Sequence, residues 1–154
     1  MAHARHAATR FPALALGETP PPTSSPGRRS PSRTWRTLGG SNATLKANDI
    51  AYEVIESKYE DYGAAIAEGV AVGSVRVYSS PAGRIYGARI LGEGAGEMIN
   101  EWGLAIQNRL RLHRILFLQH SFPSMSFLSK RTAESRMMNR MKDPLLRKLV
   151  RPFV

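Results

Sequence analysis

The sequence predicts an α+β fold: a small antiparallel sheet of three to four strands followed by packed helices, behind a disordered N-terminal leader. Three observations predict it. Val70–Tyr78 alternates, with Val75 and Val77 on one side and Ser74, Arg76 and Tyr78 on the other. The turn-forming run Ser79-Ser80-Pro81-Ala82-Gly83 then reverses the chain into Arg84–Leu91. From Ala95 the apolar spacing changes to the three-and-four pattern of a helix.

Residues 1–44 contain six prolines and a Ser/Arg/Pro-rich stretch, with few large apolar side chains. Such a segment cannot bury enough surface to offset its conformational entropy, so it reads as disordered. Met1–Leu16 is rich in Ala and Arg and lacks acids, which fits an organellar transit peptide and equally a passive tail. The expected compartment is cytoplasmic, or organellar if the leader is a transit peptide. Residues 45–138 read as the folded domain and 139–154 as a basic amphipathic tail.

Within the domain, Ile50–Glu56 has the β-branched and aromatic content of a strand. Asp61–Gly69 is a short helical connection, and the hairpin of Val70–Leu91 follows. Gly92-Glu93-Gly94-Ala95-Gly96 ends the second hairpin strand, and a helix runs from Ala95 to Leu110. Its stripe is Met98, Ile99, Trp102, Ala105, Ile106 and Leu110. Leu112–Leu118 predicts a short buried helix, and Pro123 makes His120–Ser124 a loop. Met125–Met138 and Pro144–Val150 are further helical segments.

The totals exclude several chemistries. The chain has 154 residues and no cysteine, so it holds no disulfide, thiolate metal site or redox dithiol. A folded part of about 110 residues is small enough that a partner commonly completes it. No apolar run approaches the roughly 20 residues that span a bilayer as a helix. The net charge of +10 divides into +5 for residues 1–44, −4 for 45–108 and +9 for 109–154. The excess lies at the ends, and a nucleic-acid partner is not expected, since Phe153 is the one aromatic among the basic residues of 136–154.

The glycine run sits where a dinucleotide-binding loop would, but Glu97 stands at the sixth position and Glu93 adds a second carboxylate beside the helix N-terminus. These glycines read as a tight turn. The stripe around Trp102 reads as core or interface in preference to a ligand cavity. Apart from His3/His6 in the leader, no histidine has metal-ligand spacing, so no metal is expected. His120 could move a proton only with an orienting carboxylate, and the nearest one downstream is Glu134.

Arg84-Ile85-Tyr86-Gly87-Ala88-Arg89-Ile90-Leu91-Gly92-Glu93-Gly94-Ala95-Gly96-Glu97-Met98-Ile99, continuing Asn100-Glu101-Trp102, resembles the dimerisation (interface) domain of the pyridine nucleotide-disulfide oxidoreductases. That family includes dihydrolipoamide dehydrogenase, glutathione reductase and mercuric reductase; the branch most similar is the mercuric-reductase-like one. The resemblance runs from about residue 47 to residue 133. It implies a parent that uses FAD and NAD(P), and a chain that pairs with itself or with a full-length flavoprotein paralogue.

In active members the loop after the short helix reads H-P-T-x-S-E, and its His and Glu exchange a proton with a redox cysteine. Phe122 and Phe127 stand at those two positions here. The resemblance therefore implies no catalytic residue in this chain, no cofactor bound alone and no activity alone. It implies a flavin-facing loop at His120, Phe122 and Pro123, and an interface at Met98, Ile99, Trp102, Ile106, Phe122 and Pro123. The alternative is a basic interaction module whose ends bind RNA or an anionic membrane.

Overall fold

The computed structural model describes residues 35–142. The start of the leader, the His3/His6 pair and the segment Pro144–Val150 lie outside the described residues. The elements are β1 (Trp35–Gly39), α1 (Asn42–Ala47), β2 (Glu53–Lys58), α2 (Gly63–Ala67), β3 (Ser74–Ser79), β4 (Ile85–Leu91), α3 (Ala95–Gln107), α4 (Leu112–Phe117) and α5 (Phe127–Met141). The four strands form one antiparallel sheet in the order β1-β4-β3-β2. Helices α3 and α5 cover one face of it, giving the two-layer α+β arrangement.

Register explains which face is covered. Leu38, Ala88, Val77 and Ile55 stand directly opposite one another across the four strands. Opposed residues share a face, so these four form one apolar row, and all are buried. The row one residue along, Thr37, Arg89, Arg76 and Glu56, lies on the other face. There Arg76 meets Glu56 at 2.8 Å. α3 sits so close to β1 that a Cβ on Gly103 would lie 3.0 Å from Leu38 Cδ1.

The boundary expected at residues 44/45 falls inside α1, and the fold begins earlier, at β1. β1 adds the outer strand on β4, and Ser41 caps α1 by accepting the Thr44 N–H at 3.3 Å. The composition of the leader hides this strand, because five residues of ladder hydrogen bonding need no apolar run. The boundary at 138/139 also moves, since α5 continues to Met141. Arg136 and Arg140 each reach Glu53 at 2.9 Å, and both bond the Pro81 carbonyl, which ties the last turn of α5 to β2 and the hairpin. Burial pushes the Glu53 carboxyl up, and the two guanidiniums together outweigh it, holding the group below its ordinary value.

Helix α3 stops at Gln107, three residues before the expected end. Leu110 N–H bonds Ala105 O and Arg109 N–H bonds Ile106 O, a Schellman closure with Arg109 in the left-handed region at φ 54°. At the start of α3 the glycine run makes the turn. Gly92 has φ 137°, and a Cβ there would lie 2.8 Å from Tyr59 Cζ. The Tyr59 hydroxyl donates to Glu93 O at 2.6 Å, and burial pushes its pKa up to about 12.

Replacement Gly92→Ala brings both a glycine-only backbone and a clash with a buried ring, and should destabilise the domain by about 3 kcal/mol or more. Trp102→Ala empties a fully buried site and should cost about 3–5 kcal/mol. Denaturant unfolding at low protein concentration checks both. A Trp102 variant that only dissociated, with unchanged monomer stability, would contradict its place in the core.

Candidate pairing loop and its buried histidine–glutamate contact

The loop between α4 and α5 carries the three residues of the expected flavin-facing loop: His120, Phe122 and Pro123. Their fates differ. Phe122 and Pro123, joined by a cis peptide, are exposed at the tip, with 72% of Phe122 accessible. His120 turns inward, and its side chain is only 4% accessible.

His120 Nε2 lies 2.9 Å from Glu101 Oε1 on α3, and Nδ1 lies 3.1 Å from the Leu118 carbonyl. A carbonyl only accepts, so Nδ1 carries a proton. The Nε2–Oε1 contact then holds one proton, as imidazolium with carboxylate or as imidazole with carboxylic acid. Burial pushes the Glu101 carboxyl above its ordinary value; the charge and hydrogen bond of His120 and a hydrogen bond from Ser129 offset part of that. Ser129 also accepts the Trp102 Nε1 hydrogen at 3.1 Å. The orienting carboxylate is therefore Glu101, nineteen positions upstream, where only downstream Glu134 suggested itself. Glu101 lies next to Trp102 but off the apolar stripe of α3, so no local pattern in the sequence singles it out.

The rest of the loop is held from below. Tyr62 OH donates to Ser124 O at 2.8 Å, and Ser124 Oγ donates to Ser121 O at 2.7 Å. The Phe122 ring meets Phe127 edge-on at 5.3 Å, and Phe127 stacks on Tyr62 at 6.3 Å. Lys130 Nζ sits 5.6 Å from the Phe127 centroid.

Four of the six expected interface residues pack wholly or in part against their own chain. Met98, Ile99 and Trp102 are buried by their own chain, and Ile106 is partly buried against the same core. A helical stripe announces that a face is covered, and here the sheet and α5 cover it. Phe122 and Pro123 are the ones left at the surface.

The family profile for the pyridine nucleotide-disulphide oxidoreductase dimerisation domain matches residues 36–131. The chain belongs to this family. It is 32% identical over 97 residues to dihydrolipoyl dehydrogenase of Buchnera aphidicola, covering 62% of this chain and 20% of the relative. The human mitochondrial dihydrolipoyl dehydrogenase is also 32% identical over 97 residues, with 19% of it covered. The chain thus spans about a fifth of the length of these relatives. Among solved structures, LpdA from Mycobacterium tuberculosis has a similar fold, with TM-score 0.63 at 20% identity, over 68% of this chain and 23% of that one. The HOCl-induced flavoprotein disulfide reductase RclA from Escherichia coli, as its Cu(II) complex, gives TM-score 0.62 at 17% identity, over 66% and 23%. Among the described residues no helix is long and apolar enough to cross a membrane.

Two substitutions separate the roles of the buried pair. His120→Ala leaves the Glu101 carboxyl without its partner and should cost about 2–3 kcal/mol; Glu101→Gln, which keeps a hydrogen-bonding group, should cost less. The folded state holds the Glu101 proton more tightly than the unfolded chain, so its ionisation erodes stability as pH rises from about 4.5 through the raised folded value. The stability of wild type relative to Glu101→Gln should therefore decline over that window in pH-dependent unfolding.

Proposed function

We propose that this chain is the dimerisation module of a FAD-dependent NAD(P)H disulfide-oxidoreductase-like protein, and that it pairs with a second copy of the fold through the loop at Phe122–Pro123. The observation that supports this reading is the combination of an exposed apolar tip with a buried, hydrogen-bonded underside. Apolar side chains held rigid before contact lose little freedom on association.

On this reading the chemistry of the parent lies elsewhere. The chain has no cysteine to take electrons from a flavin. The tip residues that would face a flavin, Phe122 and Pro123, offer carbon surface, and His120 has both ring nitrogens engaged within the chain. These residues do not fit the proton-exchanging dyad of the active members. The chain is expected to be inactive alone. The sequence Asn100-Glu101-Trp102 supports the mercuric-reductase-like branch as its origin.

Phe122→Ser should weaken self-association at least about tenfold, as truncation of a central aromatic anchor does. Because the ring is largely exposed in the single chain, the monomer's melting temperature should change little. Light scattering over a concentration series checks the first point and thermal unfolding of the diluted protein the second. A wild-type chain that stays monomeric alone and binds a full-length flavoprotein paralogue would replace the second copy as partner. One that binds neither would sink the reading.

A further inference from the structure

Residues 102–133 contain no acid, and the fold gathers part of the positive charge of this region with a residue from far upstream. Arg84, just before β4, forms an antiparallel bridge with Arg111, just before α4. Ile85 N–H bonds Leu110 O at 3.1 Å and Leu112 N–H bonds Gly83 O at 2.9 Å, one on either side of the pair. Arg84 and Arg111 therefore occupy a non-hydrogen-bonded position of the ladder, where opposed side chains share a face and come closest. Arg114 follows Arg111 by three residues, the spacing that brings side chains together on a helical turn. All three are exposed, and none pairs with an acid among the described residues. Like charges placed directly opposite are destabilising, and a bound anion would remove that cost.

An aromatic ring follows Arg114 one turn on along α4. Helix α4 turns Leu112, Ile115 and Leu116 into the core and leaves His113, Arg114 and Phe117 outside. Phe117 is 80% accessible, three residues beyond Arg114. We propose that Arg84, Arg111, Arg114 and Phe117 form a binding surface for single-stranded nucleic acid. The guanidinium fork matches phosphate oxygens, and the ring offers a stacking platform to a base. An anionic bilayer would call for an apolar helix face lying in the interface; α4 has six residues and its aliphatic face points inward. An acidic peptide would meet the charges but gives Phe117 no base to stack on. The surface is distinct from the tip of the pairing loop, and its test does not depend on self-association. The basic residues of 136–154 have only one aromatic, Phe153, among them, whereas this site arises only when Arg84 meets Arg111.

The test is fluorescence anisotropy of a labelled oligouridylate of about twelve nucleotides with the full chain, over salt from about 50 to 200 mM. The triple variant Arg84→Gln/Arg111→Gln/Arg114→Gln should bind at least about tenfold more weakly, with the slope of log K against log salt reduced by about two, as expected for three lost phosphate contacts. Phe117→Ala should weaken binding and leave the slope unchanged. The single variant Arg84→Gln, which relieves the opposed pair, should melt no lower than wild type while binding more weakly, so loss of fold is not mistaken for loss of site. A triple variant with wild-type affinity and slope would overturn the proposal. So would a wild-type chain that binds phosphatidylserine–phosphatidylcholine vesicles but not the oligonucleotide.

Discussion

The arrangement depends on two neighbouring residues of α3 that reach different parts of the molecule. Trp102 fills the space between the sheet and α5 and hands its N–H to Ser129; Glu101, one residue earlier, grips His120 in the loop that precedes α5. Ser129 touches both, accepting from the indole and bonding the carboxyl. A buried polar group is tolerable only when its partners are in place. The same network that closes the core therefore fixes where the α4–α5 loop must run. The position of the tip residues follows from that, and so does the inward turn of His120.

Much of the fold was legible because short-range pattern and long-range packing agree there. The alternation around Val75 and Val77 marked β3, the turn at Pro81–Gly83 marked the hairpin, and the stripe from Met98 to Ile106 marked α3. β1 was not legible: Trp35–Gly39 is short, follows a proline- and arginine-rich segment, and has its place only because β4 offers an open edge. The coupling of Glu101 to His120 was missed for a related reason. An acid near the polar side of a helix is ordinarily solvated, and nothing local says that a loop will fold back over it.

The burial of Met98, Ile99 and Trp102 within their own chain shows a limit of periodicity. A stripe such as Met98, Ile99, Trp102 states that something covers it and is silent about whether the cover belongs to the same chain. Here the sheet row Leu38, Ala88, Val77 and Ile55 and the inner face of α5 supply the cover. Small sheets leave little spare apolar surface once two helices have been laid on them. What remains outside is scattered: Val54 on β2, Leu104 on α3 and Met137 on α5 are exposed, as are Phe117, Leu118 and Phe122 around the α4–α5 loop.

A single exposed phenylalanine is ordinary on protein surfaces and by itself argues for nothing. Phe122 differs in how it is held. Its ring leans edge-on against Phe127, which stacks on Tyr62, whose hydroxyl in turn bonds the loop backbone at Ser124. Below this chain of contacts His120 is clasped from two sides. Ordering a free loop on association would consume much of what a few apolar contacts contribute. A tip fastened in advance avoids most of that loss, which is what the proposed pairing through this loop requires. On the proposed pairing, the tip asks of its partner only a complementary apolar recess.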